Sequence, residues 1–195
     1  MRLKRAVVMI LSITLSGCVN EQSSEDPFWG LVEAAKTRSA SAYERPENLM
    51  SILRDLSPEE ILEFEKQFIT VTANAYTHEL WAAAYLLNGG CSDDCFIDFR
   101  SWLISQGEKD FERVVNDPDT VGSIYSHEDG ATLEEYGYAA WTVYKEKTGS
   151  ELDLGNWAYP GKVEPDGEMW EEEDLPKLLP QTYKVVADQW AFPKQ

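Results

Sequence analysis

The sequence predicts a mainly α-helical protein, with a single compact domain of five to seven helices followed by an irregular, aromatic and proline-rich C-terminal arm. Two observations lead to this fold class. Apolar residues recur every three or four positions in most segments between residues 27 and 149, which is the spacing of helices that bury one face. No alternating pattern typical of a strand precedes residue 150.

The first two helices are predicted from their start signals and apolar faces. Asp26 is the expected N-cap of a helix that runs towards Arg38, and Pro27 suits its first turn. After a polar connection, residues 46–56 predict a short second helix that carries Leu49, Ile52 and Leu53 on one side.

The clearest start signal is the segment Ser57-Pro58-Glu59-Glu60. Ser57 can cap the helix, and the Glu60 side chain can reach back to the Ser57 backbone, which closes a capping box. The helix that follows is expected to bend or restart near Thr77-His78. Asn88-Gly89-Gly90 is expected to end it, because glycine accepts the left-handed conformation of a helix C-terminus.

Two shorter helices and a loop are predicted next. Ser92 is the expected N-cap of a helix that Gly107 ends, and residues 110–116 form a further turn or two. A loop then leads to Gly130.

The last predicted helix begins at Thr132-Leu133-Glu134-Glu135, which offers a second capping box, and it ends at Gly149. Beyond Ser150 the periodicity fades, and Pro160-Gly161 and Asp166-Gly167 indicate turns. We expect this arm to wrap the helices through its large aromatic residues, which are Trp157, Tyr159, Trp170 and Trp190.

The N-terminus resembles the signal of a bacterial lipoprotein. A cationic head precedes an uncharged apolar run, Ala6 to Leu15, that is too short for the ~20 residues of a membrane-crossing helix. Leu15-Ser16-Gly17-Cys18 resembles a lipobox, in which the cysteine is acylated and becomes the new N-terminus. We therefore expect a signal peptide at 1–17, a lipidated Cys18 with a tether at 18–26, and one helical domain at 27–195. The expected location is the cell envelope, at the outer membrane facing the periplasm in cells with two membranes and at the cell membrane otherwise.

The chain is strongly acidic, with 35 Asp and Glu against 17 Lys and Arg and a formal net charge of −18. Such a balance disfavours binding to nucleic acid, which depends on neutralising phosphates with basic side chains. Two interpretations of the acidity remain open. It can serve solubility, or it can steer a basic protein partner towards the molecule.

The segment Trp81 to Phe111 (WAAAYLLNGGCSDDCFIDFRSWLISQGEKDF) resembles bacterial domain-of-unknown-function family 4240. Supporting matches are Phe28-Trp29, Ser57 to Glu60, Tyr144 to Gly149 and the acidic segment from Trp170 to Pro176, so that the resemblance covers residues 27 to about 180. Cys95 stands where the family usually has glycine. The resemblance implies a shared fold and implies no activity.

Cys91 and Cys95 are the remaining thiols once Cys18 is lipidated. Four residues along a helix correspond to about 6 Å between Cα atoms, within the range that a disulfide tolerates. A structural disulfide and a pair of free buried thiols are both compatible with this spacing. Redox chemistry is disfavoured, because redox motifs have a different spacing and a strand–helix context.

A weak candidate catalytic set surrounds the Gly89-Gly90 turn. Asp93 and Asp94 could share a proton or a cation, while His78 and Arg100 flank the same turn, which would suit a hydrolase-like enzyme. The alternative is structural, since carboxylates in the first turn of a helix stabilise it by about 0.3–1 kcal/mol each. No nucleophile elbow or phosphate loop supports catalysis.

No metal and no cofactor is predicted. The two histidines, His78 and His127, do not form a zinc ligand pair. Residues 117–128 imitate a calcium-binding loop, but Val121 stands at the fifth position, where calcium requires a side-chain oxygen. The aromatic residues are better explained by core packing than by a carbohydrate-stacking face.

The favoured functional hypothesis is therefore a lipid-anchored binding or protective module of the envelope, with a basic protein as partner. The alternative is a hydrolase-like enzyme with its site at the Gly89-Gly90 turn.

Overall fold

The computed structural model describes residues 26–189. The predicted signal peptide, Cys18, the tether before Asp26 and Trp190 lie outside the described residues. Within residues 26–189, no helix is both long enough and apolar enough to span a bilayer.

The described part of the chain is helical and contains no β-strand, so the predicted fold class is confirmed. Its helices, in chain order, are α1 Pro27–Thr37, α2 Arg45–Leu53, α3 Pro58–Asn74, α4 His78–Asn88, α5 Asp93–Ile104, α6 Glu108–Asn116, α7 Glu134–Gly137, α8 Ala139–Thr148, α9 Leu175–Leu178 and α10 Pro180–Val186. Three short 3-10 helices span Ala42–Glu44, Pro118–Ser123 and Glu172–Asp174.

These ten helices exceed the predicted five to seven for two reasons. The helix predicted after Thr132 is divided into α7 and α8, and the short helices α9 and α10 follow the irregular segment of the C-terminal arm. The four-residue helices α7 and α9 are too short to produce a periodic apolar pattern in the sequence.

Several helix starts follow the predicted local chemistry. The capping box of α3 is confirmed: the Ser57 backbone N–H donates to Glu60 Oε2 (2.7 Å), and the Glu60 N–H donates to Ser57 Oγ (3.3 Å). Asp26 caps α1 and Ser92 caps α5. The chain restarts between α3 and α4, where Thr77 caps α4 by accepting from the Leu80 N–H.

The capping box predicted at Thr132 is wrong. Helix α7 begins at Glu134, its N-cap residue is Leu133, and no side chain caps it. The Leu133 N–H instead donates to the carbonyl oxygen of Asp98 in α5 (3.1 Å). A tertiary hydrogen bond therefore decides where this helix begins.

Helix α5 lies at the centre of the fold and contacts α3, α4, α6 and α7. Its Phe96, Phe99 and Trp102 are almost completely buried. Helices α1, α2, α3 and α8 pack on one another, while α4 packs against α9, α10 and the 118–123 turn. Burial of such large side chains is the main stabilising contribution, at roughly 25 cal/mol per Å² of apolar surface.

The arm from residue 155 to 171 crosses the break between α3 and α4. Thr77 and Asp166 form an isolated parallel bridge there. The His78 N–H donates to the Asp166 carbonyl oxygen (2.8 Å), and the Asp166 N–H donates to the Tyr76 carbonyl oxygen (3.0 Å). This pairing places the arm beside α4 and α5.

Candidate functional site

Two neighbouring depressions open where the arm meets α4 and α5, and Trp81 lines both of them. We call the first the arginine pocket; it has a volume of about 260 Å³ and is lined by Tyr76, Phe96, Arg100 and Tyr159, among others. We call the second the aromatic cleft. It has a volume of about 390 Å³ and is lined by His78, Tyr85, Trp170 and Glu172, among others.

Trp81 is held in place from two sides. Its indole Nε1 donates to the Cys91 carbonyl oxygen (3.0 Å), and its ring stacks on Phe96 with centroids 4.9 Å apart and planes 17° apart. Trp81 lies in the first turns of α4 and Phe96 in those of α5, so the packing of these two helices fixes the partition between the two depressions.

The arginine pocket is built around the guanidinium of Arg100, which is only 8% exposed. Its Nε donates to the Phe96 carbonyl oxygen (3.3 Å) and its Nη1 to the Thr72 carbonyl oxygen (3.1 Å). The Cζ atom lies 4.9 Å from the centroid of the Tyr76 ring and 4.8 Å from that of Phe96, within the range of cation–π attraction.

Arg100 forms no ion pair with any described carboxylate. Burial lowers its pKa, and the nearby tyrosines Tyr76 and Tyr159 oppose that effect. The guanidinium nevertheless stays charged, because an arginine in a protein does not lose its proton. The pocket therefore contains a desolvated positive charge.

The aromatic cleft has the opposite electrostatic character. The Tyr85 and Trp170 rings meet edge to face with centroids 5.2 Å apart, and Trp170 Nε1 donates to the His78 carbonyl oxygen (2.7 Å). The Tyr85 hydroxyl donates to Glu172 Oε2 (3.1 Å), and Glu171 also lines the cleft. Burial, together with this hydrogen bond to Glu172, raises the pKa of Tyr85.

The four predicted catalytic candidates are not brought together. Asp93 and Arg100 line the arginine pocket, His78 lines the aromatic cleft, and Asp94 lines neither. Within the described range, no hydrogen bond or ion pair joins the side chains of any two of them. Asp93 and Asp94 occupy the first turn of α5, as the structural interpretation expects.

Cys91 and Cys95 are joined as a disulfide, with 5.2 Å between their Cα atoms. The bond ties the turn after α4 to the first turn of α5, and Cys91 lines the aromatic cleft. On the loop-entropy model, so small a ring stabilises the fold by about 2 kcal/mol.

Residues 117–128 do not adopt a calcium-binding loop. Pro118–Ser123 forms a 3-10 helix, and the Asp119 carboxylate accepts hydrogen bonds from Gln181 and Thr182. No group of three or more His, Cys, Asp or Glu residues between positions 26 and 189 is arranged to hold a metal ion.

Sequence reasoning missed most of the residues that line the two depressions. It assigned no role to Tyr76 or Tyr85, predicted only that Tyr159 helps the arm to wrap the helices, and offered the acidic segment after Trp170 only as a match to the family. The adjacency of Trp170 to Glu171 and Glu172 was the available signal, because an indole beside carboxylates suits cation binding.

A model of the family described as "Protein of unknown function (DUF4240)" matches residues 24–146. No curated protein and no solved structure matches the chain. The matched range includes Trp81, Tyr85 and Arg100 and stops before the arm that supplies Tyr159 and Trp170. Since the match spans more than half of the chain, this protein belongs to the DUF4240 family of proteins of unknown function.

Proposed function

We propose that the protein is a lipid-anchored binding module of the cell envelope that recognises a basic protein partner through the aromatic cleft. One observation carries the recognition part of this proposal. Three aromatic side chains, Trp81, Tyr85 and Trp170, line one depression together with the carboxylates of Glu171 and Glu172.

This combination suits a protonated lysine or an arginine side chain. Aromatic faces attract cations, tryptophan most strongly, and a partly desolvated contact contributes about 1–2 kcal/mol. The indole N–H groups of Trp81 and Trp170 are already used in hydrogen bonds to backbone carbonyls, which hold the rings in place. Among the described residues, no Lys or Arg lines the cleft, so its negative charge is available to a partner.

The overall charge supports the same partner. A formal net charge of −18 attracts basic proteins over a distance and accelerates their encounter at low salt.

The anchoring part of the proposal rests on Cys18 and its lipobox-like surroundings. Residues 19–26, when extended, reach roughly 26–29 Å at ~3.3–3.6 Å per residue, which would hold the domain clear of the lipid headgroups.

The anchor is tested by the variant Cys18→Ser. We expect wild-type protein to sediment with membranes and to carry acyl chains on Cys18, and we expect the variant to lose both properties. Sedimentation and intact-protein mass spectrometry are the measurements, and Ser24→Ala is the matched control within the tether. Membrane association that survives Cys18→Ser would overturn the anchoring part of the proposal.

The cleft is tested with two peptides that differ only in charge, Gly-Gly-Lys-Gly-Gly and the same peptide with norleucine in place of lysine. NMR titration of the full-length chain is expected to show at least about tenfold tighter binding of the lysine peptide. Trp170→Leu and Glu172→Gln are expected to weaken that binding about fivefold or more, because one removes a cation–π face and the other a charge.

Glu173→Gln is the matched control for Glu172→Gln. Glu173 lies in the same 3-10 helix, but it is exposed and does not line the cleft. It should leave lysine-peptide binding unchanged at constant ionic strength. Equal binding of the two peptides, or equal effects of the two glutamate variants, would contradict a cation site in the cleft.

A further inference from the structure

We propose that the arginine pocket is a second, separate binding site, and that it takes a small organic molecule with one carboxylate and a flat apolar body. The pocket differs from the aromatic cleft in charge and in all of its lining residues except Trp81. The proposal therefore does not depend on the partner assigned to the cleft.

The donors of Arg100 provide the first argument. A guanidinium has five N–H donors, and two of those of Arg100 are used by the Phe96 and Thr72 carbonyl oxygens. Its Nη2 has no hydrogen-bond partner among the described residues. The Nη1 and Nη2 groups together form the planar fork that binds a carboxylate through two parallel hydrogen bonds.

The burial of Arg100 provides the second argument. Arg100 is only 8% exposed, and its guanidinium lies against both the Tyr76 and the Phe96 ring, which line the pocket. A desolvated positive charge without an acidic partner is costly, and an entering carboxylate would offset part of that cost.

The walls define the body of the ligand. Phe96 is only 1% exposed and stacks with the Trp81 and Tyr76 rings, so the rings that a flat apolar ligand can contact are those of Tyr76, Trp81 and Tyr159. The volume of about 260 Å³ is slightly below the range of ~300–1,000 Å³ that is typical for drug-sized ligands. The ligand is therefore expected to be about the size of one ring that carries one carboxylate.

The remaining charges limit the ligand to a single negative charge. Lys162 lines the pocket, but its ammonium pairs with Asp166, and Asp93 adds a carboxylate to the same wall. Arg100 is thus the one cation of the pocket lining that has no acidic partner within the described chain. A phosphate dianion would be repelled by Asp93 and by the acidic molecule as a whole.

The test compares benzoate with its neutral analogue benzamide. In calorimetric or ligand-observed NMR titrations of the full-length chain, benzoate is expected to bind at least about tenfold more tightly, because benzamide cannot accept the paired hydrogen bonds as an anion. Inorganic phosphate at the same ionic strength is expected to bind at least about tenfold more weakly than benzoate. If benzamide binds as well as benzoate, or if phosphate binds as tightly, the proposal is overturned.

Variants place the site on the molecule. Arg100→Lys keeps the charge but removes the planar fork, and it is expected to weaken benzoate binding about tenfold. Tyr159→Ala removes one wall at an exposed position where folding is not at stake, and it is expected to weaken binding about threefold to fivefold. Tyr43→Ala is the matched control, since Tyr43 is equally exposed and does not line the pocket.

If Arg100→Lys does not fold, the comparison of Tyr159→Ala with its control Tyr43→Ala still tests whether benzoate binds in the arginine pocket. Benzoate affinity that is unchanged in Tyr159→Ala, or equally reduced in Tyr43→Ala, contradicts the site. Tyr159→Ala should leave lysine-peptide binding unchanged. A failed proposal for the arginine pocket can therefore be told apart from a failed proposal for the aromatic cleft.

Discussion

Replacing Glu65 with glutamine is expected to stabilise the folded protein by about 3 kcal/mol at pH 8 and by only about 1 kcal/mol at pH 5. Glu65 is a buried carboxyl group of α3, 3% exposed, and it accepts a hydrogen bond from Trp141 Nε1 of α8 (2.7 Å). Burial raises its pKa to about 7 despite that hydrogen bond.

The direction of the pH dependence follows from this shift. Below the ordinary pKa of 4.5, Glu65 is protonated in both the folded and the unfolded chain and contributes no pH dependence to the free energy of unfolding. Between 4.5 and about 7 the folded chain holds the proton that the unfolded chain has lost, so the free energy of unfolding falls as pH rises. Above about pH 7 Glu65 is ionised in both states, and the free energy of unfolding falls no further through this group. Glutamine keeps an oxygen for Trp141 and never ionises.

Urea unfolding followed by tryptophan fluorescence measures the effect at both pH values. Glu63→Gln is the control on the same helix, because the Glu63 side chain is 63% exposed and, among the described residues, forms an ion pair with Lys66 alone. That variant should change the free energy of unfolding by less than about 1 kcal/mol at either pH. If Glu65→Gln changes the free energy of unfolding by the same amount at pH 5 and pH 8, ionisation of Glu65 is not the cause of the change.

Replacing Asp119 with alanine is expected to destabilise the protein by about 3 kcal/mol. Asp119 Oδ1 accepts from the backbone N–H groups of Gln181 and Thr182, both at 2.8 Å. Its Oδ2 accepts from the Gln181 side-chain amide (3.1 Å). Alanine would leave these donors at the start of α10 without a partner, and buried unpaired donors are costly.

Urea unfolding again provides the measurement, with Asp117→Ala as the neighbouring control. The Asp117 side chain is exposed, so its removal should cost less than about 1 kcal/mol. Asp119→Asn retains one acceptor oxygen, and its loss of stability is expected to be intermediate. If Asp119→Ala and Asp117→Ala unfold at the same urea concentration, Asp119 does not hold α10 in place.

The sequence alone predicts those helix ends that depend on residues only a few positions apart. Ser57 and Glu60 lie three residues apart, so their reciprocal hydrogen bonds are visible in the sequence and are present in the structure. The start of α7 was not predictable in this way, because it depends on a hydrogen bond from Leu133 to Asp98 in another helix. Helix α10 begins at Pro180, and its first turn depends in the same way on Asp119, more than 60 residues earlier.

The candidate site was predicted only in part for the same reason. Arg100 was singled out, but its neighbours Tyr76 and Tyr159 come from the break between α3 and α4 and from the arm. His78 was grouped with Arg100 because both flank the same glycine turn, yet Trp81 separates the two depressions that they line. Proximity in sequence cannot reveal such a partition.

The two backbone hydrogen bonds between the arm and the break before α4 have a consequence for both sites. They fasten Asp166 to Tyr76 and His78, while most of the arm around them is exposed. A segment held in this way can open without unfolding the helices, and opening would withdraw Tyr159 and Trp170 together. A molecule bound in either depression would therefore bias the arm towards its closed position and raise the affinity of the other depression, so that two unlike ligands would cooperate without touching.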